Sequence, residues 1–153
     1  MSDDSELVKI ELRTEDGTGG VDVETPWAKP LGNDLYQLDN SPFYAYGVSW
    51  QDIVEAKKTE SDGFPIFTKI VEKSGNQTVR IIFDPPVEAG NESENILDEL
   101  VGFGCSYEGA NPSYIVLDIP KEVDLWKIRE YLIDKGVQWE HADPTYKDLF
   151  PKV

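Results

Sequence analysis

The chain has 153 residues, with thirty acidic side chains against fourteen basic ones and a net charge of −16 at pH 7. That sign repels phosphates at long range, so recognition of nucleic acid through a basic surface is excluded. Hydrophobic residues make up 39% and aromatics 11%, which suits a core for one domain or two small ones and argues against disorder along the whole length.

Residues 1–6 lack the basic and apolar regions of a signal peptide, and no apolar run reaches the ~18 residues of a membrane helix. A single cysteine, Cys105, cannot form an internal disulfide. These features imply a soluble cytoplasmic protein with no membrane partner.

In chain order, residues 7–13 (LVKIELR) alternate apolar and polar side chains and are expected to form a strand, followed by a Gly/Asp loop over 15–20. Further strands are expected at 21–28, 35–38, 44–48 and 53–57, separated by turn-rich stretches at 30–34, 40–42 and 49–52. Ser61-Asp62-Gly63 reads as a hairpin turn, with 64–73 as the return strand. Short strands at this spacing predict a small antiparallel β-barrel or curled sheet for residues 1–77. No helix is expected before about residue 90.

The period then changes. Residues 78–83 (TVRIIF) form a strand that stops at Asp84-Pro85-Pro86. A helix is expected over 91–104, with Ser93 as N-cap and Ile96, Leu97, Leu100 and Val101 on one face. Residues 105–110 and 113–119 suggest a hairpin. A second helix over 122–135, with Leu125, Ile128 and Leu132 in one stripe, stops at Gly136. Residues 137–142 complete the order β-α-β-β-α-β, the ferredoxin-like pattern, within a domain spanning 78–153. The expected class is therefore α+β.

Few residues advertise chemistry. His141 is the only histidine, which removes multi-histidine metal sites; it reads as an exposed residue of the last strand. Cys105 follows a helix C-terminus, where the dipole disfavours a thiolate, and reads as a small core residue. Nucleophile-elbow, P-loop and dinucleotide motifs are absent, and neither Asp16-Gly17 nor Asp62-Gly63 has calcium-loop spacing. No catalytic residue, metal or cofactor is assigned.

Two groups of side chains remain as candidate sites. Asp39 and Asp52 flank the aromatic stretch 42–50. With Arg80 neutralising one carboxylate, they would make a polar pocket under Trp27, Tyr44 and Trp50. The alternative reading is an Asx-type turn at Asp39 and a structural ion pair at Arg80. The second group is the acid-only stretch Asp84, Glu88, Glu92, Glu94, Asp98 and Glu99, with no Lys or Arg between its ends. Such a surface steers encounter with a basic protein, or is simply solvated. Trp126, Tyr131, Trp139 and Tyr146 are available as interface anchors, although Trp126 and Trp139 fit a core equally well.

Five segments carry a likeness to a known family: 24–28 (ETPWA), 35–40 (LYQLDN), 42–48 (PFYAYGV), 52–54 (DIV) and 74–80 (SGNQTVR). In these the chain resembles the bacterial domain-of-unknown-function family four-two-six-five, small cytosolic proteins without an agreed activity. Some small acidic bacterial proteins of this kind look like immunity proteins, an analogy of fold and context.

Three functions are therefore carried forward. The first is an acidic protein-binding inhibitor, an immunity protein that occludes the active site of a basic toxin with carboxylates in place of substrate phosphates. The second is a small-molecule-binding regulatory module of ferredoxin-like type. The third is a carboxylate-based enzyme using Asp39, Asp52 and Arg80.

Overall fold

The computed structural model describes residues 6–15, 21–59 and 63–152. The fold mixes helices with antiparallel sheets and divides into two units, Met1–Ser74 and Gly75–Val153, each with its own hydrophobic core. The expected turn at Ser61-Asp62 and most of the expected 15–20 loop lie outside the described residues, as do residues 1–5 of the leader reading.

The first unit contains β1 (Val8–Lys9), β2 (Leu12–Glu15), β3 (Val21–Glu24), β4 (Trp27–Gly32), β5 (Leu35–Leu38), β6 (Ile53–Lys57) and β7 (Ile66–Glu72). Five of them form a sheet in the order β1-β4-β5-β6-β7, while β2 pairs with β3 separately. Two expected strands are each broken in two. The 7–13 segment changes partner around Ile10, which is fully buried and donates its N–H to the Pro26 carbonyl (3.2 Å). The 21–28 segment breaks before Pro26, which has no N–H to continue a ladder.

Residues 44–48 are not a strand. The backbone N–H groups of Phe43, Tyr44 and Ala45 donate to the carboxylate of Glu24, so a side chain occupies donors that a neighbouring strand would need. This segment still supplies Ala45 and Val48 to the core, beside Ile10, Leu12, Ala28, Leu38, Val54 and Ala56. The expected barrel does not close among the described residues. Beyond the five-strand ladder, Glu11 makes a single parallel bridge to Ile66.

The second unit contains β8 (Gln77–Ile82), α1 (Glu92–Gly102), β9 (Ser106–Gly109), β10 (Tyr114–Ile119), α2 (Leu125–Lys135), β11 (Gln138–Asp143) and α3 (Tyr146–Leu149). Its antiparallel sheet runs β11-β8-β10-β9. Alternate strand residues Val79, Ile81, Ile115, Leu117 and Ile119 join the helix stripe of Ile96, Leu97, Leu100, Leu125, Ile128 and Leu132 in one core.

Local details depart from expectation. The N-cap of α1 is Asn91, whose side chain accepts from the Glu94 N–H (2.9 Å). Ser93 lies inside the first turn and donates its hydroxyl to the Pro85 carbonyl (2.7 Å). Val101, at the margin of the helical stripe, is exposed. Helix α2 starts at Leu125 because Asp124 caps it through the Trp126 N–H (3.0 Å), and it ends at Gly136 in the left-handed region (φ 71°). His141 is buried, not exposed: it pairs with Val79 in register and lies edge-on to Trp139, with ring centroids 4.7 Å apart. The short α3, absent from the sequence reading, is set by a reciprocal capping box between Thr145 and Asp148.

Candidate functional site

The residues singled out from the sequence take separate roles. Asp52 is fully buried at the start of β6. Its carboxylate accepts from the Ser49 N–H (2.8 Å), the Ser74 N–H (2.8 Å) and the Lys73 ammonium (2.5 Å). Lys73 also donates to the Gly47 carbonyl (3.1 Å), and the Ser74 hydroxyl donates to the Trp50 carbonyl (2.8 Å). Asp52 is thus a staple joining the 49–52 turn to the end of β7, and its cation is Lys73. Arg80 belongs to the second unit, where it is buried and lies 3.5 Å from Glu140 on the adjacent strand. Asp39 is exposed and its N–H donates to the Trp27 carbonyl (2.9 Å), while Tyr44 is more than half exposed and Trp50 is half-buried.

Two side chains that the sequence reading did not single out tie the segment around Trp27 to residues 40–45. Glu24 collects three successive backbone donors, from Phe43, Tyr44 (3.0 Å) and Ala45 (3.1 Å), in the manner of an anion in a backbone nest. Asn40 accepts from the Trp27 N–H through its side-chain oxygen (2.8 Å). These bonds tie the ETPWA segment to residues 40–45. A signal for the clamp was present in the pairing of an acid before T-P-W with a turn-rich stretch sixteen residues on.

Beside this clamp lies a groove of about 690 Å³ within the first unit. Its apolar wall comes from Val8, Trp27, Pro30, Tyr36, Phe64 and Pro65. Trp27 is 44% exposed and Phe64 47%, so two rings present their surfaces to solvent. The charged lining is Lys9 and Lys58, and no carboxylate joins them among the described residues. The Lys9 ammonium sits 5.0 Å from the centroid of the Trp27 ring. A smaller hollow of about 270 Å³ continues past Lys9 and Trp27 towards Glu24, Asn40 and Tyr44. Of these residues, the sequence reading had singled out only Trp27 and Tyr44.

In the second unit, Asp84, Glu88, Glu92, Asp98 and Glu99 are exposed and Glu94 is half-buried. Two of the six are engaged: Glu94 accepts from the Gly90 N–H (2.7 Å), and Glu99 accepts from the Tyr131 hydroxyl and lies 3.8 Å from Lys135. The acidic surplus is not confined to this stretch, because each unit carries fifteen acidic and seven basic side chains.

Three buried ionisable groups of this unit are shifted. Burial, and secondarily Glu108, pushes the Asp118 carboxyl up to about 6, and neither of its oxygens has a hydrogen-bond partner among the described residues. Burial, and then Asp118, pushes the Cys105 thiol up to about 12, which makes it a poor nucleophile. Burial, and then Arg129, lowers His141 to about 4. Arg129 donates from Nε to His141 Nε2 (2.9 Å), so the imidazole is neutral with its proton on Nδ1. The same guanidinium lies over the rings of Trp126 (5.0 Å), Phe150 (5.2 Å) and Trp139 (5.7 Å). Among the described residues, no three His, Cys, Asp or Glu side chains converge as a metal site, and no helix is long and apolar enough to cross a membrane.

The model of the family Domain of unknown function (DUF4265) matches residues 24–141, from the clamp carboxylate to the buried histidine, and the chain belongs to that family. Among solved structures, the chain is similar to a hypothetical protein from Neisseria gonorrhoeae, with a TM-score of 0.73 at 14% identity over 92% of this chain and 97% of that one. At that identity the likeness shows the fold alone. No curated protein matches the chain.

Proposed function

We propose that this protein is a small-molecule-binding module whose ligand occupies the groove over Trp27, Tyr36 and Phe64. The observation that carries this reading is the groove itself. Its volume of about 690 Å³ suits a small organic ligand, its walls are aromatic, and its few polar groups are charged. The Trp27 N–H is already held by Asn40, and the Glu24 carboxylate ties residues 43–45 to the same segment, so this wall is ordered before any ligand arrives, which lowers the ordering cost of binding. The ferredoxin-like reading of the second unit belongs with this proposal. It is supported by the chain order β-α-β-β-α-β and the sheet order β11-β8-β10-β9. A cytoplasmic setting goes with it, on the strength of a single cysteine.

A thermal-shift screen of ring-containing metabolites tests the reading. At least one compound is expected to raise the melting temperature of the wild-type protein and to have no effect on Phe64→Ala. A screen in which every stabiliser acts equally on both proteins would remove the groove as the site.

A second reading, the acidic inhibitor of a basic toxin, is favoured by the exposure of Asp84, Glu88, Glu92 and Asp98, whose carboxylates make no internal hydrogen bond or ion pair among the described residues. It requires a basic protein that binds at low salt and whose association slows sharply when these four are reversed to Lys. An unchanged association rate would discard the patch. No catalytic role is assigned to Asp52, because both of its oxygens are engaged by donors within the fold.

A further inference from the structure

We infer that the ligand of the groove is an anion with a flat apolar body, its charge met by Lys9 and Lys58; this rests on the groove being a ligand site. Acidic side chains outnumber basic ones by thirty to fourteen in this chain. A surface of average composition would therefore carry about two carboxylates for each ammonium. The groove reverses the ratio: among its described lining residues both charged groups are lysines.

Neither lysine enters an ion pair among the described residues. Lys73, in the same unit, shows the contrasting case of an ammonium held on a buried carboxylate. Lys9 rests instead against the Trp27 ring. A cation–π contact at an exposed site is weak, roughly 0.5–1 kcal/mol, so the ammonium can turn to an incoming anion at little cost. The indole released from that contact is then open for stacking.

The chemistry of the walls completes the assignment. Trp27, Tyr36 and Phe64 favour a planar ring system, by offset or edge contacts. Two ammonium groups act as movable point charges, which suits a carboxylate, sulfonate or phosphate appended to that ring, with no demand for the bidentate geometry an arginine would impose. A cationic ligand would be repelled here, and a neutral one would gain only from the rings.

Two dyes that share a skeleton separate these terms. 8-Anilinonaphthalene-1-sulfonate carries a sulfonate, and N-phenyl-1-naphthylamine is its uncharged counterpart. Both are titrated by fluorescence against the wild-type protein, Phe64→Ala, the double variant K9Q/K58Q, and Lys127→Gln as a charge control that does not line the groove. Wild type is expected to bind the sulfonate about tenfold more tightly than the neutral dye at low salt, a difference of about 1.4 kcal/mol. That preference should shrink in 0.5 M salt (a test concentration of roughly this size reduces the screening length to a few ångströms). It should vanish in K9Q/K58Q, persist in Lys127→Gln, and Phe64→Ala should weaken both dyes.

Equal affinity for the two dyes with both still sensitive to Phe64→Ala overturns the anion assignment and leaves the groove as a site. A sulfonate preference that survives K9Q/K58Q overturns it as well. Binding of neither dye in a Phe64-dependent way overturns the assignment and the groove reading together.

Discussion

Asp52 in the first unit and Asp118 in the second are both buried, and the two are treated in opposite ways. Asp52 is surrounded by donors: two backbone N–H groups and the Lys73 ammonium meet its oxygens. Asp118, on the central strand β10, is also buried, yet neither oxygen has a hydrogen-bond partner among the described residues and its proton is held up to about pH 6. The difference shows what a buried carboxylate contributes. With donors in place it joins distant segments; without them it opposes the fold as soon as it ionises.

The largest expected effect breaks the satisfied member of the pair. Asp52→Ala leaves the Ser49 and Ser74 amides and the Lys73 ammonium without their acceptor. Lys73 is 43% exposed and can turn to water, but the two amides lose their acceptor inside the fold at about 1–3 kcal/mol for each such group, so a loss of roughly 2–4 kcal/mol is expected. Denaturant titration should show that loss, with hydrogen exchange accelerating in the first unit. A loss below about 1 kcal/mol would mean that Asp52 is not the staple described, since surface changes stay within about 0.5 kcal/mol.

Relieving the unsatisfied member should do the reverse. The folded-state pKa of Asp118 lies above its ordinary value of 3.8, so its favourable contribution is complete below that value and is lost as pH rises through about 6. A rise of about two units corresponds to roughly 3 kcal/mol. Asp118→Asn is therefore expected to stabilise the protein by roughly 2–3 kcal/mol at pH 7.5, with the gain disappearing at pH 4 (the roughly two-unit interval over which linkage acts). A gain that is the same at both pH values would show that the carboxylate does not titrate as described. His141 works in the opposite sense: its folded-state pKa falls from 6.5 to about 4, so its contribution is present above 6.5 and lost as pH drops towards 4. In the wild-type protein the two slopes oppose one another between about 4 and 6, and Asp118→Asn should expose the histidine slope alone.

The contrast between these aspartates was invisible in the sequence, and the reason is physical. Elements governed by local period were legible: β5 and β6 match the expected segments end to end, and the stripes of α1 and α2 follow the 3.6-residue spacing. Features set by distant partners were not. Residues 44–48 look like a strand, but Glu24, some twenty residues earlier, takes their amide donors. Asp52 could have met Arg80 or Lys73 on charge alone, and only the β6–β7 pairing selects Lys73. His141 sits on an edge strand, and its parity with Val79 turns it to the helix side. Of the groove, Trp27 was legible from its motif; Lys9, Lys58 and Phe64 come from three separate segments and had no shared signal.

The smallest expected effect tests why His141 resembles Asp118 in burial and differs in charge. Arg129 supplies both a donor to Nε2 and a positive charge beside the ring, and each favours the neutral imidazole. Arg129→Gln removes that charge and its stacking on Trp126, Trp139 and Phe150, for a loss of about 1–2 kcal/mol. The more diagnostic readout is the His141 titration followed by NMR, which should move upward from about 4 towards its ordinary 6.5 while burial keeps it short of that value. A histidine that does not move would assign its shift to burial alone. The guanidinium would then be a stacking group, and desolvation would govern Asp118 and His141 alike, in contrast to Asp52, whose oxygens the fold supplies with donors.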